Sequence, residues 1–180
     1  AAHALGIDGQ LVDSMGVEDR PTHSTMAGRT LYGGGGIVPD FVVTPETLTE
    51  SEARAVQRIF RRGSSFQEAL FGFAVSYVQE HPDLRPGFSL TVAEFEDFYA
   101  SLPENGEPVS REDFRNAERF VRYRLEGEIA LQAWGDLGRF EQGLEYDRQL
   151  GAALELLSGA GSTEDLFAAL RAQSEGTSGR

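Results

Sequence analysis

Apolar residues recur at helical spacing over most of the chain. Residues 50–62 predict a helix with Thr49 at its N-cap. Residues 66–80 predict a second, with Phe66, Leu70, Phe73 and Tyr77 on one face and Ala74 and Val78 beside it. Gly63 ends the first, Ser64 or Ser65 caps the second, and His81-Pro82 stops it. Thr91 and Glu94 stand at capping-box spacing and open a helix to about Leu102. Pro103, Asn105, Gly106 and Pro108 predict a loop. Ser110 then opens the longest pattern, in which Phe114, Ala117, Val121, Leu125, Ile129 and Ala133 recur. Gly135 and Gly138 predict its interruption after Trp134. A further helix passes through Leu144, Leu150, Leu154 and Leu157, and a short amphipathic piece covers 164–172.

The first part of the chain carries a different pattern. Residues 1–25 read as extended or loop, with Gly6, Gly9, Gly16 and Pro21 among scattered apolar residues. Short strands are predicted at 29–32 and 41–43, separated by a glycine run at 33–36. Two such strands are too little for a stable sheet. The fold class is therefore mainly α, a bundle of about five helices preceded by a short glycine-rich β remnant. The organisation divides as 1–43, a loop with two short strands; 44–172, a helical domain; and 173–180, a polar tail expected to be disordered.

Composition narrows the chemistry. The 180 residues are 40% hydrophobic and 10% aromatic, enough for a real core. All 16 basic residues are arginine, against 29 acidic ones, for a net charge of −13. Lysine and cysteine do not occur. Within these residues that excludes a Ser–Lys dyad, a Schiff base, a P-loop lysine, a thiol nucleophile, a zinc–thiolate site and a disulfide. The negative charge speaks against nucleic-acid partners. The apolar stretches are too short for a membrane span. The N-terminus lacks the pattern of a signal peptide and begins without methionine, as expected of a processed or excised segment.

No motif assigns a catalytic, cofactor-binding or metal-ligating residue. Gly33–Gly36 lacks the GK[ST] ending of a phosphate loop, and a tight turn explains it better. His3, His23 and His81 lack a second ligand at i+3 or i+4, so no metal site is expected. No serine stands in GxSxG or SxxK. Arg111, Arg115, Arg119 and Arg122 form a basic stripe, but Glu118–Arg122, Arg122–Glu126 and Arg124–Glu128 read as i,i+4 pairs on a solvated face. Glu94, Glu96 and Asp97 read as another such face, without the oxygen-rich loop of a calcium site. Phe71, Phe73, Phe88, Phe95, Phe98, Phe114, Phe120 and Trp134 are read as helix-packing core.

The stretch Gly28-Arg29-Thr30-Leu31-Tyr32-Gly33-Gly34-Gly35-Gly36-Ile37-Val38-Pro39-Asp40 resembles the GR-x-x-YGGGGI-x-PD signature of the carboxyl-terminal processing peptidases, or tail-specific proteases, most of all their exported forms in Bacteroidetes. Residues 70–78, 133–140 and the 147–157 ending look like the family's helical continuation. The resemblance implies that 1–43 is the end of a peptidase core and that 44–172 is a C-terminal helical region. It implies a nucleophilic serine, its lysine base and a PDZ domain upstream in the same polypeptide, and protein or peptide substrates. It also implies an exported or periplasmic location. With no lysine here, no catalytic residue carries over. The expectation is an inactive, non-catalytic region, with a homo-oligomer possible. The alternative is a free-standing helical interaction or oligomerisation module.

Overall fold

The computed structural model describes residues 4–12, 21–25, 30–33, 41–60, 65–103 and 108–177. The protein is mainly helical, with seven α-helices and two small antiparallel two-stranded sheets among those residues. Contacts divide it into two compact units, residues 2–12 with 46–147 and residues 1 and 13–45 with 148–180.

The unit built on 46–147 contains α1 (Glu50–Ile59), α2 (Phe66–Glu80), α3 (Val92–Ser101), α4 (Arg111–Asn116) and α5 (Glu118–Gly143), closed by a 3-10 turn at Leu144–Tyr146. Local chemistry explains where these begin. Thr49 and Glu52 form a capping box on α1, and Thr91 and Glu94 form one on α3. Ser110 caps α4 by accepting from the Asp113 amide at 3.0 Å. Ser65 occupies the N-cap of α2 but makes no side-chain capping bond. His81 caps the other end of α2, where Pro82 prevents continuation. The expected end of the first helix at Arg62 is revised: α1 stops at Ile59, with Phe60 as its C-cap. Gly63 and Ser64 lie outside the described residues.

The core of this unit is aromatic. Phe66, Phe98 and Phe114 are almost wholly buried. Phe98 meets Phe66 edge-on at 5.6 Å and Phe73 at 5.2 Å, and Phe114 stacks on Phe95 at 4.7 Å. Val121, Leu125 and Ile129 of α5 complete it. Each such side chain contributes about 1.5–3 kcal/mol by leaving water. Phe71 departs from the expected core set: it is 53% exposed, because it lies off the face of α2 that carries Leu70 and Ala74 inward. At the start of the chain, β1 (Ala4–Leu5) pairs with β2 (Leu11–Val12). The Leu48 amide donates to the Leu5 carbonyl at 2.8 Å, tying this hairpin to the entrance of α1.

Gly135 does more than interrupt the longest helix. Its φ of 73° and ψ of −162° are left-handed and extended, a region open essentially to glycine. On one straight helix Tyr123 and Tyr146 would stand about 35 Å apart, yet their rings meet edge-on at 5.1 Å. Arg139 Nη2 donates to Glu128 Oε2 at 2.8 Å. A Cβ on Gly138 would lie 2.9 Å from the Ala130 carbonyl oxygen and 2.6 Å from Trp134 Cβ. These pairs straddle Gly135 almost symmetrically. α5 is thus a hairpin of two helical arms, 118–134 and 136–143, folded back at one glycine.

The second unit contains β3 (Thr22–Ser24) and β4 (Thr30–Tyr32), with α6 (Arg148–Gly159) and α7 (Thr163–Thr177). Residues 1–25, expected to be extended or loop, contain β1, β2 and β3. One expectation is corrected. The strand near 29–32 pairs with Thr22–Ser24, in the register His23↔Leu31, and not across the glycine run with 41–43. Residues 41–43 join no ladder among the described residues, and the Val43 carbonyl accepts from Gln149 Nε2 at 2.9 Å. A strand of three residues carries too little pattern to specify its partner.

Candidate functional site

The residues singled out in the sequence do not converge on a catalytic centre. Gly33 follows β4 and donates its amide to the Pro21 carbonyl at 2.7 Å, which closes the β3–β4 pair. Gly34, Gly35 and Gly36 lie outside the described residues, as does His3. His23 is exposed on β3. Among the described residues there is no group of histidines and acids suited to a metal ion, and no helix is long and apolar enough to cross a membrane.

The arginine stripe is tied to the protein itself. Arg119 donates from Nε to Glu52 Oε1 at 2.7 Å, from Nη2 to the Thr47 carbonyl at 3.1 Å, and also reaches Glu46. It thereby joins α5 to the chain entering α1. Its guanidinium holds the Glu52 carboxyl down at about 2, from an ordinary 4.5. Arg111 pairs with Glu96 and lies 4.0 Å over the Tyr99 ring. Arg122 pairs with Glu118 at 2.9 Å as expected, but its Nη1 donates to the Leu90 carbonyl at 2.8 Å and its guanidinium covers the Phe95 ring. Of the expected solvated face, Arg115 is exposed and Arg122 keeps its i,i+4 pair, while Arg111, Arg119 and Arg122 also make longer-range ties.

His81 and Glu94 join the ends of α2 and α3. Tyr77 donates its hydroxyl to Glu94 Oε1 at 2.8 Å, and His81 stacks on the Tyr77 ring at 4.0 Å. His81 Nδ1 lies 2.8 Å from the Tyr77 carbonyl oxygen. Thr91 donates to Glu94 Oε2 from its amide at 2.7 Å and from its hydroxyl at 2.6 Å. These bonds, the Thr91 hydroxyl foremost, hold the Glu94 carboxyl below its usual range. Both carboxylate oxygens are occupied. Chemically this is a clasp between helix ends. The Glu80–Phe88 loop beside it encloses a shallow hollow of about 500 Å³.

Glu126 and Gln142 were missed in the sequence. The i,i+4 spacing to Arg122 predicts a surface position for Glu126, but it is 3% exposed. The signal was its place between Leu125 and Ile129, on the edge of the buried stripe of α5. Gln142 reaches the same place because α5 folds back. Glu126 Oε1 accepts from the Leu90 amide at 2.9 Å, and Gln142 Nε2 donates to the Phe88 carbonyl at 2.7 Å. Arg122, Glu126 and Gln142 therefore grip the backbone of residues 88–90.

In the second unit the described feature is apolar. The 41–43 segment, Ala153, Leu156, Leu166 and Leu170 line a groove of about 410 Å³. α6 contains no buried residue, and Leu154 and Leu157 are 57% and 60% exposed. No family model, curated protein or solved structure matches this chain.

Proposed function

We propose that the chain is the non-catalytic C-terminal region of an exported serine-type carboxyl-terminal processing peptidase. Its helices help to position the peptidase core, the substrate tail or a second subunit. The observation that carries this reading is the signature from Gly28 to Asp40, glycine run included. The absence of lysine supports placing the serine–lysine pair upstream, on the same polypeptide, with the PDZ domain. The self-sufficient aromatic core over 46–147 supports a helical region that folds beside a catalytic core without supplying its chemistry.

The test joins the chain to the coding sequence that precedes Ala1. The joined protein is expected to contain a serine and a lysine of the dyad and to cleave carboxyl-terminal tail peptides. Alanine at that serine abolishes cleavage, and the 180 residues alone cleave nothing. Hydrolysis by the 180 residues alone, or a joined protein lacking the pair, overturns the reading.

A second reading, a helical interaction or oligomerisation module, is favoured by one observation: α6 presents Leu154 and Leu157 to solvent. Sedimentation tests the module by itself, and a chain that stays monomeric at all concentrations counts against it. Self-association of the isolated chain that is lost in Leu154→Glu supports the module.

A further inference from the structure

The grip on residues 88–90 has an odd electrostatic design. A carboxylate on a residue only 3% exposed needs several donors or a close cation to remain charged. Glu126 receives the Leu90 amide at Oε1. Arg122 directs Nε to Glu118 and Nη1 to the Leu90 carbonyl, and it acts on Glu126 through its charge. The groups that face Glu126 from other elements add negative charge or none. Glu145 and Tyr146 come from the 3-10 turn, and Tyr77 comes from α2 with its hydroxyl committed to Glu94 of α3. Gln142, from the second arm of α5, spends Nε2 on the Phe88 carbonyl, and its Oε1 is buried with no hydrogen-bond partner among the described residues. The site thus has an acceptor left over and an acid that can supply a donor. Burial pushes the Glu126 carboxyl above its usual range, with Glu145 adding to the push; the Leu90 amide, Arg122 and Gln142 pull the other way.

We propose that Glu126 is a proton-controlled latch on the loop between α2 and α3: neutral, it holds residues 88–90 against α5, and ionised, it releases them. The neutral acid still accepts from the Leu90 amide through its carbonyl oxygen and adds an O–H donor to the site. The anion stays buried with the Leu90 amide and the Gln142 side chain as its hydrogen-bond support and no ion pair of its own, and it is relieved when the segment moves off and water enters. The sign follows from linkage. An acid whose folded-state pKa is raised binds its proton more tightly folded than open, so closure weakens as pH rises from the unfolded pKa to the folded one. Leu90 is itself 5% exposed in the core, so release is a local opening of this segment, while α5 stays held by Leu125 and Ile129.

The test is amide hydrogen exchange on the full chain, corrected for intrinsic base catalysis, across the range from ordinary carboxylate titration to mildly alkaline pH. Protection of the Leu90 amide is expected to fall by up to about tenfold per pH unit, the limit for one proton, while the Phe98 amide in the core holds. In Glu126→Gln, an amide of the same shape that cannot ionise, Leu90 protection is expected to be flat. Flat Leu90 protection in the parent, an equal fall at Phe98, or the same slope in Glu126→Gln overturns the latch. A carbon-13 titration of the Glu126 carboxyl in the unmodified chain needs no variant. Its midpoint is expected above the ordinary carboxylate range and coincident with the loss of Leu90 protection; a midpoint in the ordinary range, or one separate from that loss, overturns the proposal.

Discussion

The helices before and after Asp147 obey the same sequence rules and end in different states. α3 buries Phe95 and Phe98, whereas α6, with an equally clear apolar stripe, buries nothing. Every buried residue among those described lies in the 2–12 and 46–147 unit. Periodicity therefore says that a helix has an apolar side; only the density of aromatic partners says whether that side finds a home within the chain. Phe66, Phe73, Phe95, Phe98 and Phe114 supply one another's surroundings. Leu154 and Leu157 have no such company.

The largest expected effect strikes the aromatic side of that contrast. Phe98→Ala removes a ring with no exposed surface and should cost about 3–5 kcal/mol, read by denaturant unfolding followed through the fluorescence of Trp134, the sole tryptophan. A loss below about 1 kcal/mol would mean that the ring cluster is not the source of stability. Gly135→Ala should cost about 1–3 kcal/mol in the same assay. A Cβ there meets nothing within 4 Å, so the cost comes from backbone conformation alone. An unchanged midpoint would remove the hairpin from the account.

Glu52→Gln probes the Arg119 tie through pH. Because the folded-state pKa is depressed, the stabilisation is present above the ordinary carboxylate range and is lost as pH falls from about 4.5 to about 2. The variant should flatten that acid limb and lose about 1–2 kcal/mol at neutral pH, a figure reduced for the solvent screening of the half-exposed Arg119. An acid limb as steep as the parent's counts against the tie. Thr91→Ala removes one capping box and should cost about 1 kcal/mol, visible as earlier exchange of the first-turn amides of α3. At the small end, Leu157→Ala should move stability by less than about 0.5 kcal/mol. A cost near that of Phe98→Ala would show α6 covered in solution and would erase the contrast.

Helix starts were the most legible part of the fold, since a hydroxyl that accepts from the amide three residues on acts locally. Thr91 with Glu94 and Ser110 were read correctly for that reason. The break at Gly135 was legible as an interruption, but its reversal was not, because nothing in a glycine's neighbours specifies its dihedral angles. The pairing of β3 with β4 was hidden by the shortness of both strands. Around the candidate sites, pair rules along one helix hid the truth: Glu126 looked like a surface partner of Arg122, and only the fold-back of α5 and the 88–90 segment put it inside. The resemblance in the glycine segment remains a matter of sequence, and of it only Thr30–Gly33 falls among the described residues.

The reversal at Gly135 also sets how the chain tolerates length changes. One residue inserted between 130 and 138 rotates the second arm by about 100° against the first. Tyr146 then leaves Tyr123, Arg139 leaves Glu128, and Gln142 leaves the Phe88 carbonyl, all in one step. An insertion at Arg85–Pro86, exposed in the turn after α2, disturbs no such register. That turn accepts a change of length that the spacing around Gly135 does not.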